Sequence, residues 1–168
     1  MISNLDTEGL SKIAFDYDLF YIDIWGVIHN GLELNLSAVE TLRHLKENKK
    51  EYVLLTNAPR PNEPVIKFLK KMGLKENFEN VFTSGEAALK YLKSDLKNKK
   101  FFHIGPPRDY DLFSSFKNLK ETNIDLADYI LCTGLFDNYN KDLDYYKILL
   151  KEHLKKKMIC TNPDLIVD

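Results

Sequence analysis

The stretch from Phe20 to Gly31 constrains the fold of this chain more than any other segment. An apolar run ends in one acidic residue, Asp23, and then breaks into Trp25-Gly26. A strand buried in a parallel sheet reads as a continuous apolar run of this kind, and ligands of open α/β sheets bind beyond the carboxyl ends of the strands. We therefore predict that Asp23 lies at the edge of a parallel sheet where a ligand binds.

A second apolar run begins at Tyr52 and ends in a hydroxyl and an amide, Thr56 and Asn57. A carboxylate and a hydroxyl/amide pair at neighbouring strand ends indicate phosphoryl or acyl chemistry. Asp23 would be the nucleophile and form an aspartyl-phosphate, with Thr56 and Asn57 binding phosphoryl oxygens. The alternative is structural: Asp23 caps a turn, and Thr56 and Asn57 end a strand as turn formers. Trp25 either packs or lies at the mouth of the site.

Strands and helices alternate along the whole chain, which is typical of parallel α/β sheets. The lysine- and asparagine-rich stretch 93–100 reads as a boundary, so we predict domains over residues 1–97 and 98–168. Two capping boxes, starting at Ser37 and Thr83, predict helix starts. The predicted strands are 18–24, 51–56, 81–83, 101–104, 128–132 and 158–161, and the predicted helices are 7–15, 37–48, one ending near Gly73, 84–92, 109–117 and 142–155.

Three further positions have both a functional and a structural interpretation. His29 follows Asp23 and could face a substrate, although packing is the favoured interpretation. Ser84 and Gly85 could offer backbone N–H groups to an anion at a helix start, but a simple cap is favoured. His103 lies within a predicted strand and is interpreted as a core or surface histidine.

Composition excludes several classes of function. Hydrophobic residues make up 44% of the 168 residues, so a packed core is expected and disorder is not. The formal net charge of −1 gives no support for a nucleic-acid or membrane partner. No basic N-terminal segment precedes an apolar one, and no apolar run approaches the roughly 18 residues of a membrane span. We therefore expect a cytoplasmic protein.

Taken together, three motifs resemble the haloacid dehalogenase (HAD) superfamily, and more closely its subfamily IIA of NagD-type and pyridoxal/4-nitrophenyl phosphatases. The motifs are Asp23-Ile24-Trp25-Gly26-Val27, Leu54-Leu55-Thr56-Asn57 and Thr83-Ser84-Gly85-Glu86-Ala87. The segments His103 to Asp109 and Cys160 to Asp164 are similar to a bacterial branch of that subfamily. The resemblance implies a HAD-like Rossmannoid parallel sheet, the N-terminal half of a core over residues 1–97, and part of a C2-type α/β cap over 98–168.

The resemblance also implies roles for individual residues. Asp23 would be the nucleophile and a Mg²⁺ ligand, and Trp25 would give its backbone carbonyl to the metal. Thr56 would bind the transferring phosphoryl group beside Asn57. The remaining phosphate- or substrate-binding positions would be Trp25 itself, Gly26 in the same loop, and Asn162 and Asp164 in a cap loop.

The sequence departs from the family pattern in two ways. Most HAD phosphatases carry an aspartate two positions after the nucleophile as general acid/base, where this chain has Trp25. The family's later lysine and its Gly-Asp-x-x-x-Asp-like loop are also not found in these 168 residues. The expectation is therefore the N-terminal part of a longer protein, or a natural truncation.

The resulting prediction is a Mg²⁺-dependent phosphatase that acts on a small phosphorylated metabolite, with this chain alone inactive. The alternative is a degenerate, non-catalytic protein that binds a phosphorylated ligand or a partner chain. Homo-oligomer formation is a further expectation, because the first strand would be left at the edge of its sheet.

Overall fold

The computed structural model describes residues 9–75, 78, 80–139 and 142–162, and it is an α/β structure with parallel sheets. Both the fold class and the strands of the sequence prediction are therefore confirmed. The strands are β1 (Leu19–Asp23), β2 (Glu51–Thr56), β3 (Val81–Thr83), β4 (Phe101–Ile104), β5 (Lys120–Glu121), β6 (Tyr129–Cys132) and β7 (Lys157–Cys160). The α-helices are α1 (Leu36–Glu47), α2 (Asn62–Lys71), α3 (Ser84–Ser94) and α4 (Leu143–Lys151).

The chain divides into two compact units. The first contains Met1–Thr56 and Val65–Phe82, and the second contains Asn57–Pro64 and Thr83–Asp168. The division into domains after residue 97, made from the sequence, stays a prediction.

The first unit is built on a three-stranded sheet in the order β1-β2-β3. Leu42 and Leu45 of α1 are buried, as their helical spacing predicts, and they join Leu54 of β2 in the core. The other face of β1 is uncovered, because its residues alternate between exposed and half-buried. Tyr21 on that face is 68% exposed, and β1 ends the described sheet.

The second unit is built on a four-stranded parallel sheet in the order β5-β4-β6-β7. Phe101 of β4 is fully buried against Phe113 and Tyr129. His103 of β4 is also buried, in agreement with its interpretation as a core histidine. Its Nε2 lies 2.9 Å from Oγ1 of Thr133, so this buried imidazole has a hydrogen-bond partner.

The two predicted capping boxes differ from the hydrogen bonds in the structure. The first capping box is wrong, because α1 already begins at Leu36 and Ser37 lies inside it; the Ser37 hydroxyl donates to Asn35 Oδ1 over 2.8 Å. The second box is half right. Thr83 Oγ1 accepts from the Glu86 N–H over 2.9 Å, but the Glu86 carboxylate accepts from the Asn62 N–H instead of the Thr83 N–H.

Two predicted helices are 3₁₀ segments instead. In the described part of the segment 7–15, short turns form at Leu10–Lys12 and Ala14–Asp16, while residues 7 and 8 lie outside the described residues. The segment 109–117 lies within the kinked segment Pro107–Leu119. The two-residue strand β5 was not predicted, since two polar residues carry no periodicity. None of the helices in the described part of the chain has the length and apolar character needed to cross a membrane.

The buried histidine predicts a pH dependence of stability. Burial, aided by the charge of Lys120, lowers the pKa of His103 to about 4 from its usual 6.5. Between about pH 6.5 and pH 4 the imidazole is therefore protonated in the unfolded chain and neutral in the folded chain. We expect the free energy of unfolding to fall by about 3 kcal/mol as the pH is lowered from 6.5 to 4, at 1.36 kcal/mol per pKa unit.

Urea unfolding at several pH values measures this effect. The substitution His103→Gln should flatten the pH dependence, whereas His44→Gln, on the exposed face of α1, should leave it unchanged. An equally steep dependence in His103→Gln would assign the acid sensitivity to another group.

The uncovered strand edge predicts self-association. An edge strand presents unpaired N–H and C=O groups, and a lysine on it opposes pairing with another chain. We expect Tyr21→Lys to lower the fraction of dimers and larger species in sedimentation velocity. The matched control is Ile148→Lys, because Ile148 is 75% exposed but lies on α4. Equal effects of the two substitutions would point to general hydrophobicity instead of strand pairing.

Candidate active site

The candidate nucleophile Asp23 is the last residue of β1. Its Cα pairs with that of Leu55 in the parallel β1–β2 register, so Thr56, the last residue of β2, comes one position later at the same edge. The two strand ends therefore meet as the sequence predicts. This places a carboxylate and a hydroxyl at neighbouring strand ends.

The two side chains reach this edge from opposite faces. Successive side chains along a strand point to opposite faces, and paired residues share a face. Asp23 lies with Leu55 on the exposed face, whereas Thr56 continues the buried alternation of β2 and is 8% exposed. A ligand at this edge would thus meet the Asp23 carboxylate first.

The backbone after Asp23 folds into a tight loop around one carbonyl. The Ile24 carbonyl accepts from the N–H groups of Val27, Ile28 and His29 at 3.3, 2.8 and 3.3 Å. Asp23 Oδ1 accepts from the Ile24 N–H at 2.8 Å, which fixes one carboxylate oxygen. Among the described residues, no backbone hydrogen bond ends on the Trp25 carbonyl. That carbonyl is therefore available to a ligand.

Gly26 occupies the turn that separates Asp23 from the rest of the loop. Its φ of 75° lies in the left-handed region that favours glycine. Its N–H donates to the His29 carbonyl at 2.8 Å, which closes the loop. The Gly26 N–H is thus engaged within the loop in this structure, and the phosphate-binding role of Gly26 stays a prediction.

His29 is a packing residue and not a substrate-facing one. It is 6% exposed, and its ring contacts those of Trp25 and Phe68 edge-on, with centroids 5.5 and 5.3 Å away. Its Nδ1 accepts from the Gly31 N–H at 2.9 Å, and burial lowers the pKa of the imidazole. Both observations favour a neutral ring, so His29 holds the loop together.

The Trp25 indole lies over Gly31. A Cβ built at Gly31 would come within 2.8 Å of Cη2 of that indole, and Gly31 has a φ of 91°. The indole stays 52% exposed beside Asp23. Sequence reasoning missed both the contact of His29 with Phe68 and the contact of Trp25 with Gly31. The glycine six residues after the single tryptophan was the one available signal.

The residues present suit a magnesium ion in part. Mg²⁺ prefers oxygen ligands and is commonly bound through one or two carboxylates with retained waters and substrate phosphate. The exposed carboxylate of Asp23 and the unbonded carbonyl of Trp25 are oxygen donors of this kind. Within the described ranges, no group of three or more His, Cys, Asp or Glu residues is placed to hold a metal.

In the second unit, the polar groups at the start of α3 form hydrogen bonds within the protein. Thr83 is the N-cap, and the Ser84 hydroxyl donates to the Thr161 carbonyl. The Gly85 N–H donates to the Ala58 carbonyl at 3.0 Å, and a Cβ there would lie 2.4 Å from the Arg60 backbone. The cap of α3 is therefore Thr83, and not Ser84 or Gly85 as the favoured interpretation had it.

The remaining predicted positions lie in segments of the second unit. Asn57 directly follows Thr56 in the chain and is exposed. Asn162 follows β7, and its carbonyl accepts from Cys160 Sγ at 3.2 Å. Asp164 lies outside the described residues. The ligand roles of Asn57, Asn162 and Asp164 stay predictions.

Comparison with known proteins identifies similar sequences and folds. A family model described as haloacid dehalogenase-like hydrolase matches residues 20–117. A haloacid dehalogenase-like hydrolase from Brucella suis is 28% identical, with a TM-score of 0.82 over 95% of this chain and 59% of that one. No curated protein matches the sequence.

Two further solved structures share the fold at lower identity. A 4-nitrophenylphosphatase from Thermotoga maritima is 24% identical, with a TM-score of 0.66 over 91% of this chain and 57% of that one. A glycerol phosphate phosphatase from Mycobacterium tuberculosis, solved with calcium, is 20% identical, with a TM-score of 0.62 over 90% of this chain and 45% of that one. The chain thus spans less than two thirds of the length of each.

The contact between Trp25 and Gly31 predicts a fluorescence change. In Gly31→Ala the new Cβ must displace the indole, and the left-handed backbone costs about 1–2 kcal/mol. We expect a shifted emission spectrum, since Trp25 is the single tryptophan. Gly73→Ala is the matched control, because Gly73 has a φ of 101° with no atom within 4 Å of its Cβ position. It should lose similar stability without the spectral shift, and an identical shift in both variants would contradict the contact.

Proposed function

The chain belongs to the haloacid dehalogenase-like hydrolase family, and from this premise we propose that it supplies the nucleophile of a Mg²⁺-dependent phosphatase. The substrate is a small phosphorylated metabolite. The observation that supports the proposal best is the exposed Asp23 carboxylate at the carboxyl end of β1, with Thr56 ending the neighbouring strand. The phosphatases named above share this fold.

The proposed reaction has two displacements. A carboxylate oxygen of Asp23 forms a bond to phosphorus while the bond to the leaving group breaks, and the leaving oxygen keeps the electron pair. Water then attacks the aspartyl-phosphate, which restores the carboxylate and releases phosphate. The Thr56 hydroxyl and the Asn57 amide would donate to the phosphoryl oxygens.

Magnesium, when bound, would offset the negative charge that the carboxylate and the phosphoryl group bring together. The chain's own donors for it are the Asp23 carboxylate and the Trp25 carbonyl, as described above. The bond from the Ile24 N–H holds one carboxylate oxygen in place and leaves the other oxygen to face the ligand.

The residues near Asp23 restrict the leaving group. An indole cannot transfer a proton, and His29 is buried with Nδ1 engaged by the Gly31 N–H. Losing a positioned acid/base costs about 10²–10⁴-fold in rate, or about 3–5 kcal/mol of barrier. We propose that the enzyme prefers aryl phosphates, whose phenolate leaves without a proton, over alkyl phosphates.

A non-catalytic role is the second candidate. The same two observations, an indole at the acid/base position and a buried His29, favour a protein that binds a phosphorylated ligand without turnover. We expect residues 1–168 by themselves to show no Mg²⁺-stimulated hydrolysis.

The test compares hydrolysis of 4-nitrophenyl phosphate and glycerol phosphate by the protein expressed from its whole reading frame, with and without Mg²⁺. We expect Mg²⁺-dependent turnover of the aryl phosphate at a rate about 10²-fold or more above the alkyl phosphate. Asp23→Asn should abolish turnover and the trapping of BeF₃⁻, because an amide does not attack phosphorus. Asp16→Asn, an exposed aspartate before β1, is the matched control.

Two results would reject the enzyme proposal. Retained hydrolysis in Asp23→Asn would make this residue structural. Binding of phosphate or BeF₃⁻ that depends on Asp23, without turnover of either substrate, would establish the non-catalytic candidate instead.

A further inference from the structure

A cavity of about 380 Å³ lies at the carboxyl edge of the second sheet. Gly105, which follows β4, and Phe136, in the loop after β6, both line it. From β4 the chain goes to β5 on one side, whereas β6 and β7 lie on the other side. The cavity therefore lies where the strand order reverses, which is where open parallel sheets bind their ligands.

Buried polar groups fix the loop after β4 in place. The Thr133 hydroxyl lies 2.9 Å from His103 Nε2 and also hydrogen-bonds the Asp109 carboxyl, and all three residues are at most 5% exposed. Gly105 crosses directly over this cluster, since a Cβ there would lie 2.1 Å from Thr133 Oγ1 and 2.8 Å from His103 Nε2. The spacing His-x-Gly-x-x-x-Asp is thus explained by contacts that hold one wall of the cavity rigid.

A second wall is aromatic. The rings of Tyr139 and Tyr145 stack with centroids 3.9 Å apart and planes within 2°. Phe136 meets Tyr145 edge-on at 6.1 Å, and its N–H donates to the Tyr146 hydroxyl at 2.7 Å. Flat rings fixed in this way offer a stacking surface to another flat ring.

The cavity also carries an uncompensated positive charge. The Lys120 ammonium donates to the Tyr110 hydroxyl at 3.2 Å and lies 4.5 Å from the centre of that ring. Within the described part of the chain, no carboxylate pairs with it. Asp137, the acidic residue in the lining, is paired with Arg108 at 2.9 Å. An anionic group would therefore find its partner at Lys120.

We propose that this cavity is a second binding site, and that it takes a small anion carrying a flat aromatic ring. The ring lies against Phe136, Tyr139 and Tyr145, and the anionic group pairs with Lys120 while Tyr110 orients the ammonium. Because hydrogen bonds already fix the loop through Gly105, the cavity wall is preformed, and binding costs little conformational entropy. The proposal does not depend on catalysis at Asp23.

The test is calorimetric titration of the full protein without added Mg²⁺, using phenylphosphonate as the probe. Methylphosphonate carries the anion without the ring, and benzyl alcohol carries the ring without the anion. We expect phenylphosphonate to bind about tenfold or more tightly than either comparison compound. Lys120→Met and Tyr139→Leu should each weaken its binding by about tenfold, whereas Lys120→Arg and Tyr139→Phe should retain it.

Two control variants separate this site from other effects. Lys151→Met, an exposed lysine on α4, should bind phenylphosphonate as the unmodified protein does. Asp16→Asn, which changes an exposed aspartate before β1, should also bind it unchanged. Asp23→Asn is titrated as well, because weakening in that variant alone would place the binding at the Asp23 site. If phenylphosphonate binds but neither phosphate ester is hydrolysed, the binding-site proposal is supported and the phosphatase proposal is rejected.

Four outcomes overturn the proposal. They are equal binding of methylphosphonate, unchanged binding in both Lys120→Met and Tyr139→Leu, weakening confined to Asp23→Asn, and no binding of phenylphosphonate by the folded protein. Far-UV circular dichroism of each variant checks that it is folded. Loss of affinity in Tyr139→Phe would contradict stacking on the Tyr139 ring, because that variant keeps the ring and removes only the hydroxyl.

Discussion

The parallel register of β1 against β2 is the constraint on which the first unit depends. Pairing Asp23 with Leu55 brings two carboxyl strand ends to one edge and sets which face each side chain takes. A shift of one residue would exchange those faces and bury the Asp23 carboxylate, at the free-energy cost of desolvating a charge. By fixing this register, the core residues of β2 and α1 keep the Asp23 carboxylate on the solvent-exposed face, in addition to stabilising the fold.

The loop after β1 uses its polar groups for structure, and this limits its chemistry. Three N–H groups donate to the Ile24 carbonyl, and the His29 Nδ1 accepts a hydrogen bond from the Gly31 N–H. These hydrogen bonds fix the loop, and within residues 24–31 neither the Trp25 indole nor the buried His29 is placed to give a proton to a leaving group at Asp23. This arrangement is compatible with the two proposals made above, hydrolysis of a substrate with a good leaving group and binding without turnover.

The two units share one physical arrangement. In each, polar residues lie at or next to the carboxyl ends of parallel strands, and the loop that follows is held by hydrogen bonds to groups near those ends. In the first unit the exposed group is the Asp23 carboxylate. In the second unit, the buried side chains of His103, Thr133 and Asp109 are hydrogen-bonded to one another. Aromatic rings and the Lys120 side chain line the cavity. The first edge therefore suits nucleophilic chemistry and the second suits recognition.

The sequence by itself determined every described strand except β5, the alternation of elements and the position of Asp23 at a strand end, because apolar runs are local signals. It also identified Gly73 as a helix end, where the φ of 101° requires glycine. Local patterns failed where a distant partner decides. The N-cap of α1 is Asn35 and not the predicted Ser37. The Glu86 carboxylate accepts from the Asn62 N–H and not from the N–H of its predicted partner Thr83. Only the tertiary structure decided that His29 is buried between Trp25 and Phe68, and that Lys120, Tyr139 and Tyr145 line one cavity, because these contacts join residues that no local periodicity relates.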